Sequence, residues 1–197
     1  MNATNKIIII RRLLTGCVLA CSLTSNIHAQ NAGGYAVAES GANYRVWQKT
    51  TVENCANRIH RYTELGSGLN YRDPVSGQWR PSREQIDLLS PGGAFAAAAT
   101  SGQHQASFPL DIAQGIIQLS TPDGKQLRSR PVGLFFEDDS NSVLIAILTN
   151  SVGELVGSNQ VVYPDAFEGV AASVRYRYTR SGFEQDVIVQ GQLPDPA

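Results

Sequence analysis

The sequence predicts an all-β protein, an antiparallel β-sandwich with a β-barrel as the alternative, preceded by a signal peptide. Three observations predict it. Short segments with apolar and polar residues in alternation recur along the chain. Turn-forming residues interrupt them at roughly the 8–12-residue spacing of sandwiches and barrels. Helical periodicity is nearly absent, and the one Ala-rich run, Ala94 to Ala99, is too short and isolated for a stable helix.

The elements follow in order. Residues 30–43 are small and polar and read as a flexible lead-in. Tyr44 to Val52 and Arg58 to Leu65 alternate imperfectly, as strands. Leu69 to Arg72 is a short strand ending at the turn Asp73-Pro74-Val75-Ser76-Gly77, where Gly77 is free to take positive φ. Trp79 starts the return. Glu84 to Leu89 reads as a short strand or one helical turn, and Pro91-Gly92-Gly93 breaks the chain. Gly115 to Thr121 and Lys125 to Arg130 flank the tight turn Pro122-Asp123-Gly124. Val132 to Glu137 and Val143 to Thr149 flank a hairpin loop, 138–142. Gln160 to Tyr163 stops at Pro164. Val174 to Thr179 puts Val174, Tyr176 and Tyr178 on one face and Arg175, Arg177 and Thr179 on the other, the mark of a half-buried strand. Ser181-Gly182 turns the chain into Phe183 to Val189. Ten to twelve strands are expected in a domain spanning 44–192, with 193–197 a tail or a truncated linker.

The first 29 residues carry the grammar of a secretory signal: Lys6, Arg11 and Arg12, an apolar segment from Leu13 to Leu23, and a small-residue site at Ala29. The apolar segment is shorter than the roughly 20 residues a membrane span needs, and no later segment is longer, so no transmembrane helix is expected in the mature chain. Leu14-Thr15-Gly16-Cys17 and Val18-Leu19-Ala20-Cys21 resemble lipobox motifs, so acylation of Cys17 or Cys21 stands as the alternative to cleavage after Ala29. The expected location is outside the cytoplasm: secreted, periplasmic, or at the outer membrane or cell surface.

Loss of the leader removes three of the 16 basic residues and none of the 17 acidic ones, which leaves a net charge of −4. Duplex nucleic acid is an unsuitable partner for such a surface, because that binding rests on clustered Lys and Arg. Of the three cysteines, only Cys55 remains after cleavage. No intrachain disulfide can form, so the fold must stand on an apolar core, for which about 168 residues suffice. Cys55 reads as a small half-buried residue, with a reactive or intermolecular thiol as the sharper alternative.

The chemistry-bearing motifs are mostly missing. His60 and His104 have no metal-ligand spacing to each other or to Cys55 and read as surface or half-buried strand histidines. The nucleophile elbow, the phosphate-binding loop and the dinucleotide fingerprint do not occur, and Gly66-Ser67-Gly68 reads as a loop. Glu137, Asp138, Asp139, Asp165, Glu168, Glu184 and Asp186 are candidate acids for a glycosidase pair, which needs two carboxylates about 5–10 Å apart. Glu137, Asp138 and Asp139 with Asn141 could ligate Ca²⁺ through oxygens, though a solvated hairpin tip accounts for them more simply. Trp47, Trp79, Tyr71, Tyr163, Tyr176 and Tyr178 lie in or beside strands, where they serve either as core or as sugar-stacking surfaces. No catalytic residue is assignable, and no cofactor or metal ligand is expected.

Four phrases occur together: Gly68-Leu69-Asn70-Tyr71 with Asp73 and Ser76-Gly77-Gln78-Trp79; Thr121-Pro122-Asp123-Gly124-Lys125; 159–167, from Asn159 through Tyr163-Pro164-Asp165 to Phe167; and Gly182-Phe183-Glu184-Gln185-Asp186-Val187. Together they resemble the N-terminal β-rich region of large, uncharacterised secreted bacterial proteins, some akin to YD-repeat cell-surface proteins. The likeness runs from about Tyr44 to the end. It implies a longer parent and an extracellular module, and it brings no catalytic residues; the YD repeats themselves do not occur in this chain. The expected function is a non-catalytic structural or adhesive module, with a carbohydrate-binding or carbohydrate-active protein as the alternative. The expected partners are a polysaccharide or a cell-surface protein.

Overall fold

The computed structural model describes residues 33–194. The leader, Cys17, Cys21, the cleavage site after Ala29 and the last three residues lie outside them. The described residues form strands, turns and loops with no helix, and so none long and apolar enough to cross a membrane.

Sixteen strands build five antiparallel sheets. The first sheet runs β1 (Ala36–Gly41), β2 (Tyr44–Glu53) and β3 (Ala56–Leu65) as a meander. The second is the short hairpin of β4 (Asn70–Arg72) and β5 (Trp79–Pro81). The third orders β6 (Asp87–Leu88), β7 (Ala97–Ala99), β8 (Gln105–Phe108), β9 (Ile117–Ser120) and β10 (Gln126–Ser129) side by side in chain order. The fourth is the hairpin of β11 (Gly133–Glu137) and β12 (Ser142–Ile147), and the fifth runs β13 (Glu154–Val156), β14 (Gln160–Tyr163), β15 (Ala172–Tyr178) and β16 (Phe183–Val189). No sheet closes on itself: the larger two end at the edge strands β6 and β10 and at β13 and β16, so the barrel alternative is set aside.

The third and fifth sheets share one apolar core. Ala97, Ala99, Ala106, Phe108 and Ile117 from the third meet Val161, Tyr163, Ala172, Val174, Tyr176 and Tyr178 from the fifth. The contact is aromatic at its centre. The Phe108 ring lies 6.0 Å from that of Tyr176 and 6.1 Å from that of Phe183, and Tyr176 stacks on Phe183 at 5.6 Å. Offset and tilted pairs at these separations add to the large area that each ring buries. The period-2 pattern of β15 dictates this: Val174, Tyr176 and Tyr178 point inward as expected, and Arg175 and Arg177 point outward to Asp186 and Glu184 of β16, each 2.8 Å away and directly opposite in register.

Four strands differ from expectation. The stretch expected as flexible lead-in carries β1, because its backbone pairs along β2 from Ala36↔Gln48 to Gly41↔Tyr44. The Ala-rich run supplies β7, inside the third sheet between β6 and β8; alanine is a weak strand former in isolation, but Ala97, Ala98 and Ala99 are all buried between paired neighbours. β8 and β13 occupy stretches given no strand from the sequence.

Two junctions tie the first sheet to the rest. Asn70, 1% exposed, donates from Nδ2 to the Gly41 carbonyl at 2.7 Å and to the Tyr44 carbonyl at 3.2 Å, and its Oδ1 accepts from Arg45 Nε at 2.9 Å. Gln103 Nε2 faces the carbonyls of Ala42 at 2.7 Å and Asn70 at 3.0 Å and Asn43 Oδ1 at 3.2 Å. The approach of the loop before β4 to the β15–β16 turn needs a glycine. Gly68 sits at φ +65°, and a Cβ there would run into the Arg180 carbonyl oxygen.

Candidate functional site

Turns from four places in the fold converge on one cleft of about 480 Å³. Ala42 comes from the β1–β2 turn, Arg72 and Trp79 from the β4–β5 hairpin, Gly102, Gln103 and Gln105 from the approach to β8 and its first residue, and Ser120, Thr121, Pro122, Gly124 and Gln126 from the β9–β10 turn and its flanks. Each part is set by local chemistry. In the β4–β5 loop Asp73 Oδ1 accepts from the backbone N–H of Ser76 at 2.7 Å and of Val75 at 3.1 Å and from Ser76 Oγ at 2.8 Å. These bonds, the Ser76 backbone first, hold its carboxyl below the usual carboxylate range. Gly77 closes the loop at φ +66°, as the turn sequence predicts. In the β9–β10 turn Thr121 Oγ1 donates to Asp123, whose carboxylate also pairs with Lys125 Nζ at 2.7 Å.

Trp79 is the aromatic face of this cleft, 38% exposed. It pairs with Arg72 across β4–β5, and the Arg72 guanidinium lies 5.9 Å from the indole centroid while its Nε donates to the Gly77 carbonyl at 3.0 Å. Around it stand three glutamine amides and the Ser120 and Thr121 hydroxyls. Arg72 is the one charged side chain in the lining, and none of the lining residues is a carboxylate. The arrangement suits hydrogen bonding and ring stacking, not acid–base work by a carboxylate pair.

A second cavity, about 550 Å³, opens between 88–96 and 109–115. Its walls are Leu88, Leu89, Phe95 and Leu110, with Asp111 its one carboxylate. Asp111 Oδ1 accepts from the Ala113 backbone N–H at 2.8 Å and that of Ser151 at 3.4 Å, so this acid orders its own loop.

The candidate acids are scattered. Glu184 and Asp186 are bound to Arg177 and Arg175 on the outer face of the fifth sheet. Asp138 Oδ1 caps its hairpin, accepting from the N–H groups of Ser140 and Asn141, both at 2.8 Å, which lowers its pKa. That is the hairpin tip the sequence suggested for 137–141, with the Asp138 oxygen turned to the backbone. Asp165 sits at φ +44° after β14, and the Glu168 N–H donates to the Ile147 carbonyl at 3.0 Å. Among the described residues no three His, Cys, Asp or Glu side chains come together as a metal site.

His60 and His104 stay apart. His60 Nε2 lies 2.8 Å from Thr51 Oγ1 on the β2–β3 hairpin, and His104 lies against the Tyr178 ring at 4.9 Å. Cys55 is exposed, not half-buried: it stands in the β2–β3 turn at φ +61°, beside Asn54 at φ +50°, where the tight reversal turns its side chain to solvent.

No protein-family model, curated protein or solved structure matches this chain.

Of the aromatic residues singled out from the sequence, Tyr163, Tyr176 and Tyr178 are fully buried and serve the core; their hydroxyls are raised above the ordinary value by burial. Trp47 packs on Tyr62 at 6.1 Å and donates from Nε1 to Glu64 at 2.9 Å. Tyr71 is half-buried on β4. Trp79 alone of these six lines the cleft. Arg72, Gln103, Gln105 and Gln126 were not singled out from the sequence. Their one signal was placement beside turns: Arg72 before Asp73-Pro74, Gln126 after Asp123-Gly124, and Gln103 and Gln105 two apart.

Proposed function

We propose that residues 36–192, β1 included, are a β-sandwich module of a longer bacterial envelope or secreted protein, and that the module binds without catalysing. The third and fifth sheets are its two layers, supported by the core they share. Export rests on the leader grammar, and the longer parent on the resemblance described above. Adhesion to a polysaccharide or a surface protein is the role this reading assigns.

The observation that carries the binding reading is the Trp79 cleft. Several turns of different sheets converge there, and the lining offers an indole, amides and hydroxyls, with no carboxylate. Sites of this kind orient a ligand through a few polar groups against an apolar wall. The test is to export the full chain from a bacterial host, purify it and co-sediment it with bacterial envelopes, alongside the Trp79→Ala variant. The proposal expects the exported chain to sediment with envelopes, the variant to stay in solution, and no sugar to be released. Retention in the cytoplasm, equal sedimentation of the variant, or release of reducing sugar overturns it.

A further inference from the structure

We propose that the Trp79 cleft takes a neutral pyranose sugar, stacked on the indole and held by the amides of Gln103, Gln105 and Gln126. This rests on the cleft being the binding site of the module.

The indole supplies the first half of the argument. One side of a pyranose ring presents mostly C–H groups, weakly positive at their hydrogens, and the face of an indole is negative. Burying that side against Trp79 removes apolar area from water on both partners. The backbone that carries the indole is set before any ligand arrives: its strand is paired to β4, and the guanidinium 5.9 Å from the ring is tied by Nε to Gly77. A wall that needs less ordering on binding gives up less of the interaction energy.

The amides supply the second half. Gln103 spends Nε2 on Ala42, Asn43 and Asn70, which fixes the side chain and leaves Oε1 without a partner among the described residues. Gln105 donates from Nε2 to the Thr100 carbonyl at 3.3 Å and likewise keeps Oε1. Gln126 is the opposite case. Its Oε1 accepts from Arg128 Nη2 at 3.3 Å, and its Nε2 donor is uncommitted. The lining therefore offers two carbonyl acceptors and an amide donor, with the Ser120 hydroxyl able to act as either. A hydroxyl group donates one hydrogen bond and accepts others, so it matches such a mixed set. A carboxylate or phosphate accepts only and would leave the glutamine carbonyls unpaired, while an ammonium donates only and would meet the lone cation Arg72.

The test uses defined probes on the full chain. Cellohexaose, chitohexaose and mannohexaose represent neutral pyranose chains, and hexagalacturonate represents the acidic case. Each is titrated by calorimetry into the wild-type chain and into Trp79→Ala, Trp79→Phe, Gln126→Ala and Trp47→Phe. Trp79 and Gln126 are exposed on short or edge strands, and a circular-dichroism spectrum of each variant confirms that it folds. The proposal expects a Kd of about 1 mM or tighter for at least one neutral hexasaccharide. It expects Trp79→Ala to weaken binding at least about tenfold, Trp79→Phe to weaken it less, Gln126→Ala to weaken it several-fold, and Trp47→Phe to leave it unchanged. Absence of binding by all three neutral chains, binding of hexagalacturonate alone, or binding that survives Trp79→Ala overturns the proposal. If Trp79→Ala still abolishes envelope sedimentation while no neutral chain binds, the sugar assignment falls and the binding reading stands. If neutral chains bind through Trp79 but envelopes do not sediment the protein, the sugar assignment stands and the envelope-adhesion role falls.

Discussion

Replacing Asn70 by alanine removes a side chain that joins the first sheet to the β4–β5 hairpin. Three hydrogen bonds vanish: Nδ2 to the Gly41 and Tyr44 carbonyls and Arg45 Nε to Oδ1. Two neutral bonds at about 1 kcal/mol each and one to a charged group at about 1.5–3 kcal/mol set the gross loss at about 4 kcal/mol. Arg45 keeps its bond to the Leu69 carbonyl at 2.8 Å and its ion pair with Glu64 at 3.6 Å, which returns part of that. Gly41 is buried, so its carbonyl is left unpaired where water reaches it poorly. The expected net cost is about 3 kcal/mol, or a fall in Tm of about 6–12 °C for a domain of this size. Urea denaturation followed by tryptophan fluorescence and by far-ultraviolet circular dichroism measures it. With Trp79→Phe as the background, Trp47 in the first sheet is the remaining tryptophan, so a fluorescence transition that precedes the dichroism transition would show the first sheet leaving alone. Asn70→Asp keeps an acceptor for Arg45 but sets a carboxylate against the Gly41 carbonyl, and should also destabilise. A loss under about 1 kcal/mol in Asn70→Ala would refute the assignment of this residue as the tie.

Other outcomes follow from the core and its turns. The Tyr176 hydroxyl is buried with no hydrogen-bond partner among the described residues, so Tyr176→Phe should leave stability unchanged or raise it by about 1 kcal/mol in a urea melt; a loss above about 2 kcal/mol would contradict the packing. Gly68→Ala meets both a left-handed φ and the Arg180 carbonyl, and a loss of about 3 kcal/mol or more in the same melt is expected. Burial pushes Tyr178 up to about 12 and raises Tyr163 and Tyr176 as well. Unfolded tyrosines ionise near pH 10, so above that pH the unfolded chain sheds protons that the folded chain keeps. Stability should be full below pH 10 and fall between pH 10 and 12, by about 2–3 kcal/mol from Tyr178 alone. A stability flat across that window in pH-dependent urea melts would argue that the tyrosines are solvated.

The sequence was most legible where one residue's neighbours decide its place. Val174, Tyr176 and Tyr178 alternate with Arg175 and Arg177, so the buried face of β15 follows from period alone, and Phe183 to Val189 is bounded by its own turn. Asp73 to Gly77 and Pro122 to Gly124 carry their turn chemistry in their side chains. Ala97 to Ala99 was illegible because alanine favours no strand; what makes it one is the pairing with β6 and β8 on either side. β1 was hidden likewise, since Ala36 to Gly41 is held by β2. The cleft was half legible. Trp79 stood out as an aromatic residue after a turn, but Gln103 and Gln126 become a site only when the approach to β8 and the β9–β10 turn are brought beside it, a juxtaposition that no local pattern encodes.

The account stands on the third and fifth sheets facing each other across one aromatic core. The most direct measurement is a proton NOE spectrum of the full chain with assigned aromatic resonances. Cross-peaks from the Phe108 ring to the rings of Tyr176 and Phe183 are expected from centroid separations of 6.0 and 6.1 Å. A Phe108 ring without either cross-peak, in a folded chain, would contradict the shared core.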